Sequence, residues 1–245
     1  MLTKVTITGA DDNVKIDDLL ALSEEFPFVE WGTLFSIARM GTARYPSGSW
    51  LVRFYDRMAC RRAGRASMHF CGESAKLLMR GALSMKLPPL PDAPQSVRMQ
   101  INGFRADDLA PNIDAVRQTI AAAGAEIILQ VRAEDQIVPG AEIARQLGLG
   151  TSLLWDPSGG RGVESHAWPR PPIDVHMGYA GGIKPSNIID VIRAIGVVDP
   201  PYWLDMESGV RDERDQFDLG LVREVLQKAA PFVVRPSAAS DGASP

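Results

Sequence analysis

Residues 174–187 read DVHMGYAGGIKPSN, and residues 202–211 read YWLDMESGVR. Each stretch is a run of strand-forming residues that ends in a glycine-bearing turn, and a segment with helical spacing follows it. Successive units of this kind are typical of βα repeats, whose strands lie parallel in one sheet. Glycine also lets a backbone approach a ligand closely, so the two turns suggest an anion-binding cradle of N–H groups, with ordinary tight turns as the alternative.

The same alternation extends along the whole chain. Helical spacing of apolar residues predicts helices in residues 107–124, 186–196 and 218–230. Eight strand-like runs, separated by connections long enough to cross over, cover residues 4–8, 28–35, 66–71, 97–102, 126–131, 152–156, 174–180 and 202–207. We therefore predict a single α/β domain over residues 1–235, a (β/α)8 TIM barrel with eight parallel strands rather than an open doubly wound sheet. Residues 236–245 lack apolar content and are predicted to form a disordered tail.

The composition favours a globular domain with a small-molecule partner. The chain has 245 residues, of which 45% are hydrophobic, and a formal net charge of −4. Its Lys and Arg residues are scattered, so we expect no nucleic-acid partner, and no apolar run is long enough for a membrane span. Two cysteines, Cys60 and Cys71, are too few for a disulfide framework and favour a reducing cytoplasm.

We expect neither a metal nor a cofactor. No pair of His or Cys residues stands at metal-ligand spacing in the sequence. The glycine-rich SGGRG at residues 158–162 lacks the strand-to-helix setting and the downstream acidic residue of a dinucleotide-binding fingerprint. A small phosphorylated metabolite is the expected partner, and a homodimer is left open.

Six segments, in order along the chain, resemble phosphoribosylanthranilate isomerase, the barrel of tryptophan biosynthesis that rearranges an aldose-type amine into a 1-amino-2-ketose. AGGIKPSNI and DMESGVR resemble that family's turns after strands seven and eight. VTITGADD, GTARYPS, QING and LLWDPSGGRG resemble its other landmarks. The resemblance implies the same fold, and it implies that a substrate phosphate is held by Gly181, Gly182, Ser208 and Gly209.

The resemblance also assigns residues to the rest of the substrate. Asp156 ends the sixth strand, where the family places its general acid, and a turn-forming Asp is the alternative. Arg44 matches the arginine that contacts the substrate carboxylate in the family, and a solvated surface Arg is the alternative. We also place Asn102, Gly160 and Glu207 among the residues that bind the substrate or its phosphate.

The family's general base does not carry over. Its cysteine is replaced by Thr8, whose hydroxyl cannot remove a carbon-bound proton at neutral pH without an adjacent base. We therefore expect weak or absent phosphoribosylanthranilate isomerase activity. His69 is the replacement base that needs least pKa tuning, with a hydrogen-bonded barrel residue as the alternative. Asp11, Glu30 and Glu207 are further candidates. A Glu30 carboxylate is costly to bury in an apolar strand unless it is functional, pairs with an arginine or points to water.

Three functions remain open at this stage. The first is a metal-independent isomerase that acts on a phosphorylated sugar or amino-sugar. The second is a lyase or aldolase that uses the same phosphate site, although the absence of a lysine at a strand end argues against a Schiff-base mechanism. The third is a non-catalytic protein that binds a phosphorylated metabolite, against which the cluster of strand-end acids argues.

Overall fold

The computed structural model describes residues 1–59, 65–83, 97–148 and 150–234. Its eight strands are β1 (Leu2–Thr8), β2 (Val29–Phe35), β3 (Ala66–Phe70), β4 (Arg98–Ile101), β5 (Glu126–Val131), β6 (Ser152–Trp155), β7 (His176–Tyr179) and β8 (Tyr202–Met206). Each strand pairs in parallel with the next, and β8 pairs with β1, so the sheet closes. The predicted (β/α)8 TIM barrel is confirmed. The predicted tail at residues 236–245 and Cys60 lie outside the described residues.

Helices cover the outer face of the barrel. They are α1 (Ile16–Glu25), α2 (Gly48–Ala59), α3 (Glu73–Met79), α4 (Ala106–Leu109), α5 (Ile113–Ala123), α6 (Ile137–Leu147), α7 (Ile188–Ile195) and α8 (Leu219–Ala229). Their apolar side chains recur at three- and four-residue steps and pack on the sheet; Val116 and Ile120 of α5, for example, are fully buried. None of these helices is long and apolar enough to cross a membrane, nor is any other in the described part of the chain.

The predicted helix at residues 107–124 forms in two pieces. The short α4 passes into a 3-10 turn at Ala110–Asn112, and α5 then runs to Gly124, which adopts a left-handed conformation with φ of 60°. Pro111 accounts for the interruption, because a proline has no N–H to donate to the preceding turn. The predictions for residues 186–196 and 218–230 correspond to α7 and α8.

The interior of the barrel is unusually polar. Because side chains alternate along a strand, every second residue points inside. Ile128, Leu154, Ala180 and Trp203 form a small apolar cluster, separate from the larger core between the sheet and the helices. Gly178 makes room for the indole of Trp203, since a Cβ at this position would lie 2.2 Å from Trp203 Cε2. The remaining strand residues buried with polar side chains include Thr6, Thr8, Glu30, Ser67, His69, Arg98, Gln100, Gln130 and Asp205.

A buried ion pair lies at the end of the barrel where the strands begin. Glu30, near the start of β2, accepts a hydrogen bond from Arg98 Nε at 2.9 Å, and a second Arg98 donor contacts the other carboxylate oxygen. Thr6 Oγ1 also donates to Glu30, at 2.8 Å. Glu30, a candidate base in the sequence, is therefore not among the residues that line the pocket at the strand ends. Pairing with an arginine, the alternative reading, is what the structure shows.

Favourable charges keep Glu30 ionised in spite of its burial. Burial alone opposes the charged form, but Arg98 and Lys4, with the hydrogen bonds of Arg98 and Thr6, hold the pKa of Glu30 well below its usual range. The side chains of Glu30 and Arg98 are only 3% and 2% exposed, so neither charge has water as a substitute partner. Removing one partner would leave a buried charge uncompensated.

We expect Glu30→Gln to lower the free energy of unfolding by about 3–5 kcal/mol, since it leaves the Arg98 charge unpaired in the interior. Urea denaturation near neutral pH measures the effect. The matched control is Glu25→Gln, which removes a surface ion pair with Arg223 and is expected to cost less than about 1 kcal/mol. Because the folded-state pKa of Glu30 is lowered, its contribution should be complete above the ordinary Glu pKa and shrink as the pH falls below it. Equal losses in the two variants would contradict this assignment.

Candidate functional site

A pocket opens at the end of the barrel where the strands finish, the usual position of active sites in this fold. Its volume is about 50 Å³, small beside the roughly 300–1,000 Å³ of typical ligand sites, so a metabolite-sized ligand requires the surrounding loops to move. The lining residues with polar side chains are Thr8, His69, Gln100, Asn102, Gln130, Asp156, Ser158, Asp205, Glu207 and Ser208. Asp156, Glu207, Thr8 and His69 are thus brought together as expected from their places in the sequence.

Asp205 and Thr8 meet at the floor of this pocket. They lie on neighbouring strands, β8 and β1, and Thr8 Oγ1 donates a hydrogen bond to Asp205 Oδ1 at 3.0 Å. Burial raises the pKa of Asp205 to about 8, although the Thr8 hydrogen bond acts in the opposite direction. Gly32 of β2 is required beside them, because a Cβ there would lie 2.1 Å from Thr8 Oγ1. The site therefore contains a carboxyl group that exchanges its proton close to neutral pH.

Asp156 is held by four donors. Its Oδ2 accepts hydrogen bonds from Gln130 Nε2 and from the Gly160 amide, both at 2.8 Å. Its Oδ1 accepts from the Ser158 amide at 3.1 Å and from Ser158 Oγ at 2.6 Å. Asp156 therefore lines the pocket, as a general acid would, and also shapes the turn after β6, as a turn-forming aspartate does. The Gly160 amide is used within the protein and is not free for a phosphate.

His69 lines the pocket but does not titrate near neutrality. Burial lowers its pKa to about 3, so the imidazole is uncharged at neutral pH. Its Nε2 lies 2.9 Å from Ser67 Oγ, and its Nδ1 lies 3.3 Å from Gln100 Nε2. Gln100 in turn donates to Asn102 Oδ1 at 2.8 Å. The expectation that this histidine needs the least tuning is not met, and the alternative of a hydrogen-bonded barrel residue describes it better.

Asp11 and Arg44 lie outside the residues that line the pocket. Asp11 accepts hydrogen bonds from the Asn13 amide and from the Arg44 amide, at 3.1 and 3.0 Å, so it ties together the loops after β1 and β2. The Arg44 guanidinium donates to Glu207 Oε1 at 2.6 Å and to both carboxylate oxygens of Asp215, at 3.2 and 2.5 Å. Arg44 is therefore already engaged by two carboxylates, which differs from the expected contact with a substrate carboxylate.

The two glycine turns lie against each other at the mouth. Gly209 packs so closely on the turn after β7 that a Cβ would lie 1.8 Å from the Ile183 carbonyl oxygen. Gly181 and Gly182 adopt φ values of 116° and 64°, which only glycine reaches without strain. Among the described residues, none accepts a backbone hydrogen bond from the amides of Gly181, Gly182, Ser208 or Gly209. These N–H groups are available to an anion.

The loop after β6 forms a third side of this cradle. Residues 156–175 contain no helix and cross the mouth. The Ser165 amide donates to the Gly181 carbonyl at 3.3 Å, and a Cβ on Gly182 would lie 2.4 Å from Glu164 Cα. Ser158, Gly160 and Gly162 of this loop are among the residues that line the pocket.

Asp205, Gln130 and Gln100 are site residues that the sequence reading did not select. A usable signal existed for Asp205, because it stands two residues before Glu207 and therefore points to the same side of β8. Gln100 lies two residues before Asn102, and Gln130 lies two residues before Arg132. Because side chains alternate along a strand, each glutamine points to the same side as the polar residue that follows it. Their proximity depends on strand pairing, as in the Gln100–Ile128 register of β4 and β5, which no local pattern specifies.

Comparison with known proteins shows a shared fold. Phosphoribosyl anthranilate isomerase from Thermus thermophilus matches with a TM-score of 0.56 at 16% identity, covering 94% of this chain and 100% of that chain. N-(5'-phosphoribosyl)anthranilate isomerase from Pyrococcus furiosus gives 0.52 at 14%, covering 94% and 99%. Phospho-2-dehydro-3-deoxyheptonate aldolase from Thermotoga maritima gives 0.54 at 11%, covering 94% and 68%. No protein-family model and no curated protein sequence matches the chain. Because these enzymes differ in chemistry at such low identity, the likeness defines the TIM-barrel class alone.

We expect Asp205→Asn to stabilise the protein, and to do so more at about pH 8 than at about pH 5. An aspartate ionises near 3.9 in the unfolded chain but near 8 in the folded one. The folded state therefore binds more protons between these values, and natural stability falls as the pH rises, by at most about 1.4 kcal/mol per unit. Urea denaturation at several pH values measures the difference.

Asp190→Asn is the control for this measurement, because Asp190 lies on α7 with its side chain 80% exposed. Asp190→Asn removes only an exposed ion pair with Arg193, so its effect on stability should stay below about 1 kcal/mol. A pH-independent effect of Asp205→Asn would show that the Asp205 carboxyl is not held neutral by burial.

Proposed function

We propose that the protein is an enzyme that isomerises a phosphorylated sugar or amino-sugar by moving a proton between neighbouring carbons. The observation that carries this proposal is Asp205, a buried carboxyl group with a pKa of about 8 at the floor of the pocket. A base that removes a proton beside a carbonyl works best when its pKa lies near the operating pH. Asp205 meets this requirement, and His69 does not.

The neighbourhood of Thr8 supports the same assignment. Thr8 occupies the place of the base in the family that the sequence resembles, and it contacts the Asp205 carboxyl directly. The hydroxyl fixes one oxygen of Asp205, which leaves Asp205 Oδ2 without a hydrogen-bond partner among the described residues. In this proposal the base is the Asp205 carboxylate on β8, the strand next to β1, where Thr8 replaces the base of that family.

The reaction requires no further reactant. The Asp205 carboxylate removes the proton from C2 of an open-chain aldose, which gives an enediolate, and the resulting Asp205 carboxyl group then returns this proton to C1. A second proton passes from the C2 hydroxyl oxygen to the C1 oxygen. Asp156, a second carboxyl group that lines the pocket, is the group that relays this second proton. Its four donors fix the position of both carboxyl oxygens in the pocket.

The phosphate would bind at the two glycine turns. Four amides with no backbone acceptor, from Gly181, Gly182, Ser208 and Gly209, surround this part of the pocket. Such clusters of N–H groups bind anions, and phosphate sites in TIM barrels lie after strands seven and eight. Arg161 and Lys184 are exposed cations on the adjoining loops, and they would attract a phosphorylated ligand to this side.

We expect Ser208→Asp to weaken the binding of inorganic phosphate by about tenfold or more, because it places a like charge in the cradle. Isothermal titration measures the affinity, and thermal unfolding confirms that the variant is folded. Ser49→Asp is the control, since Ser49 is exposed in the first turn of α2, where an acidic side chain is tolerated. Absence of phosphate binding to the natural chain, or equal binding to all three proteins, would contradict the phosphate site.

We expect Asp205→Asn to lower turnover by about 10²- to 10⁴-fold, the usual contribution of a general base. Phosphorylated aldoses incubated in deuterium oxide give the measurement, because exchange at C2 reports proton removal even where little product accumulates. The rate for the natural chain should rise with pH and level off above about 8, as Asp205 becomes ionised.

Asp190→Asn again serves as the control and should keep the natural rate. Exchange that survives in Asp205→Asn would move the base to another residue. Phosphate binding without exchange on any phosphorylated aldose would contradict an isomerase, and a lyase or a non-catalytic metabolite-binding protein would then explain the site.

A further inference from the structure

We infer that the part of the substrate that reaches the pocket floor carries hydroxyl or amino groups and no carboxylate. This inference rests on the proposed function, in which the phosphate occupies the glycine turns at the mouth. It concerns the opposite end of the same ligand, and it differs from what the resemblance of Arg44 to a carboxylate-binding arginine implies.

The floor and inner wall of the pocket are acidic. Asp156, Asp205 and Glu207 all line it, and each is at least largely buried. A substrate carboxylate in this space would face three carboxyl groups in a region of low dielectric constant. Placing like charges together in such a site weakens binding. The repulsion is strongest once Asp205 is ionised, which is the state that the proposed reaction needs.

In the described part of the chain, only Glu207 of these three has a cationic partner, Arg44, and no cationic side chain lines the pocket to receive a further carboxylate. Among the described residues that line the pocket there is no Lys or Arg, and the one histidine, His69, is uncharged at neutral pH. The nearest candidate is Arg44, whose guanidinium already binds Glu207 and Asp215. Arg211 is buried and donates to the Gly9 carbonyl at 2.8 Å and to Asp215. A substrate carboxylate would have to break one of these pairs to gain a partner.

The free acceptor atoms suit hydrogen-bond donors instead. Asp205 Oδ2 and Glu207 Oε2 have no hydrogen-bond partner among the described residues, whereas their other oxygens bind Thr8 and Arg44. Asp205 lies in β8 and Glu207 directly follows this strand, and both line the pocket. Hydroxyl groups or an ammonium group on a carbon chain would donate to both oxygens. The same end of the substrate can then approach Asp205 with its reacting carbon.

Three probes that differ at one end test the inference. Glucose 6-phosphate presents hydroxyl groups, glucosamine 6-phosphate presents an amine, and 6-phosphogluconate presents a carboxylate, while all three keep the phosphate. Titration of the full chain should give affinities for the first two that exceed the affinity for 6-phosphogluconate by about tenfold or more. The relative affinities of the first two show whether the floor prefers hydroxyl groups or an amine.

Glu207→Gln provides the second measurement. It removes one pocket carboxylate and one partner of Arg44, so the disadvantage of 6-phosphogluconate should shrink by about threefold or more. Asp190→Asn is the control and should leave all three affinities unchanged. Thermal unfolding checks that each variant is folded.

The outcomes separate this inference from the function on which it rests. Binding of 6-phosphogluconate as tight as that of glucose 6-phosphate would overturn the inference and leave the phosphate site intact. Binding of inorganic phosphate without any of the three sugar phosphates would also overturn it. Failure of inorganic phosphate itself to bind would overturn the proposed function, and the inference with it.

Discussion

Closure of eight parallel strands into a barrel places alternate side chains of every strand in one enclosed space, and the rest of this structure depends on how that space is filled. In this protein much of it is polar. Glu30 and Arg98 are only 3% and 2% exposed, and they form an ion pair between strands β2 and β4. A buried ion pair of this kind is weak evidence for stability in itself, but a missing partner is costly. Any other arrangement of the interior that separates Glu30 from Arg98 is therefore disfavoured.

The same enclosure produces the chemistry at the other end. Asp205 has no arginine close enough to keep it ionised, so burial dominates and raises its pKa. Glu30 is at least as deeply buried, yet its pKa moves in the opposite direction because Arg98 and Lys4 are beside it. The pKa values of these two buried carboxyl groups therefore differ because of their charged neighbours and not because of their exposure. One holds the base of the barrel together, and the other is available for proton transfer.

The sequence predicted the fold well because the fold depends on local patterns. Strand-like runs and apolar spacing located all eight strands, and only Pro111 divided a predicted helix. The site was predicted in part. Residues at strand ends, such as Asp156 and Ser208, do line the pocket. Glu30 was misplaced because its partner Arg98 is 68 positions away and cannot be read from the strand itself. The importance of Asp205 depends on desolvation, which only the closed barrel reveals.

The contact between Gly209 and the Ile183 carbonyl has a consequence for how this protein can change. The two turns interlock so tightly that any side chain at residue 209 would push the backbones of both apart. Variation at the mouth is therefore correlated: the turn after β7 and the turn after β8 can be altered together but not singly. The floor is restricted at single positions instead, because Gly32 must stay small beside Thr8. Directed evolution toward a new ligand should thus change the two turns at the mouth as a pair.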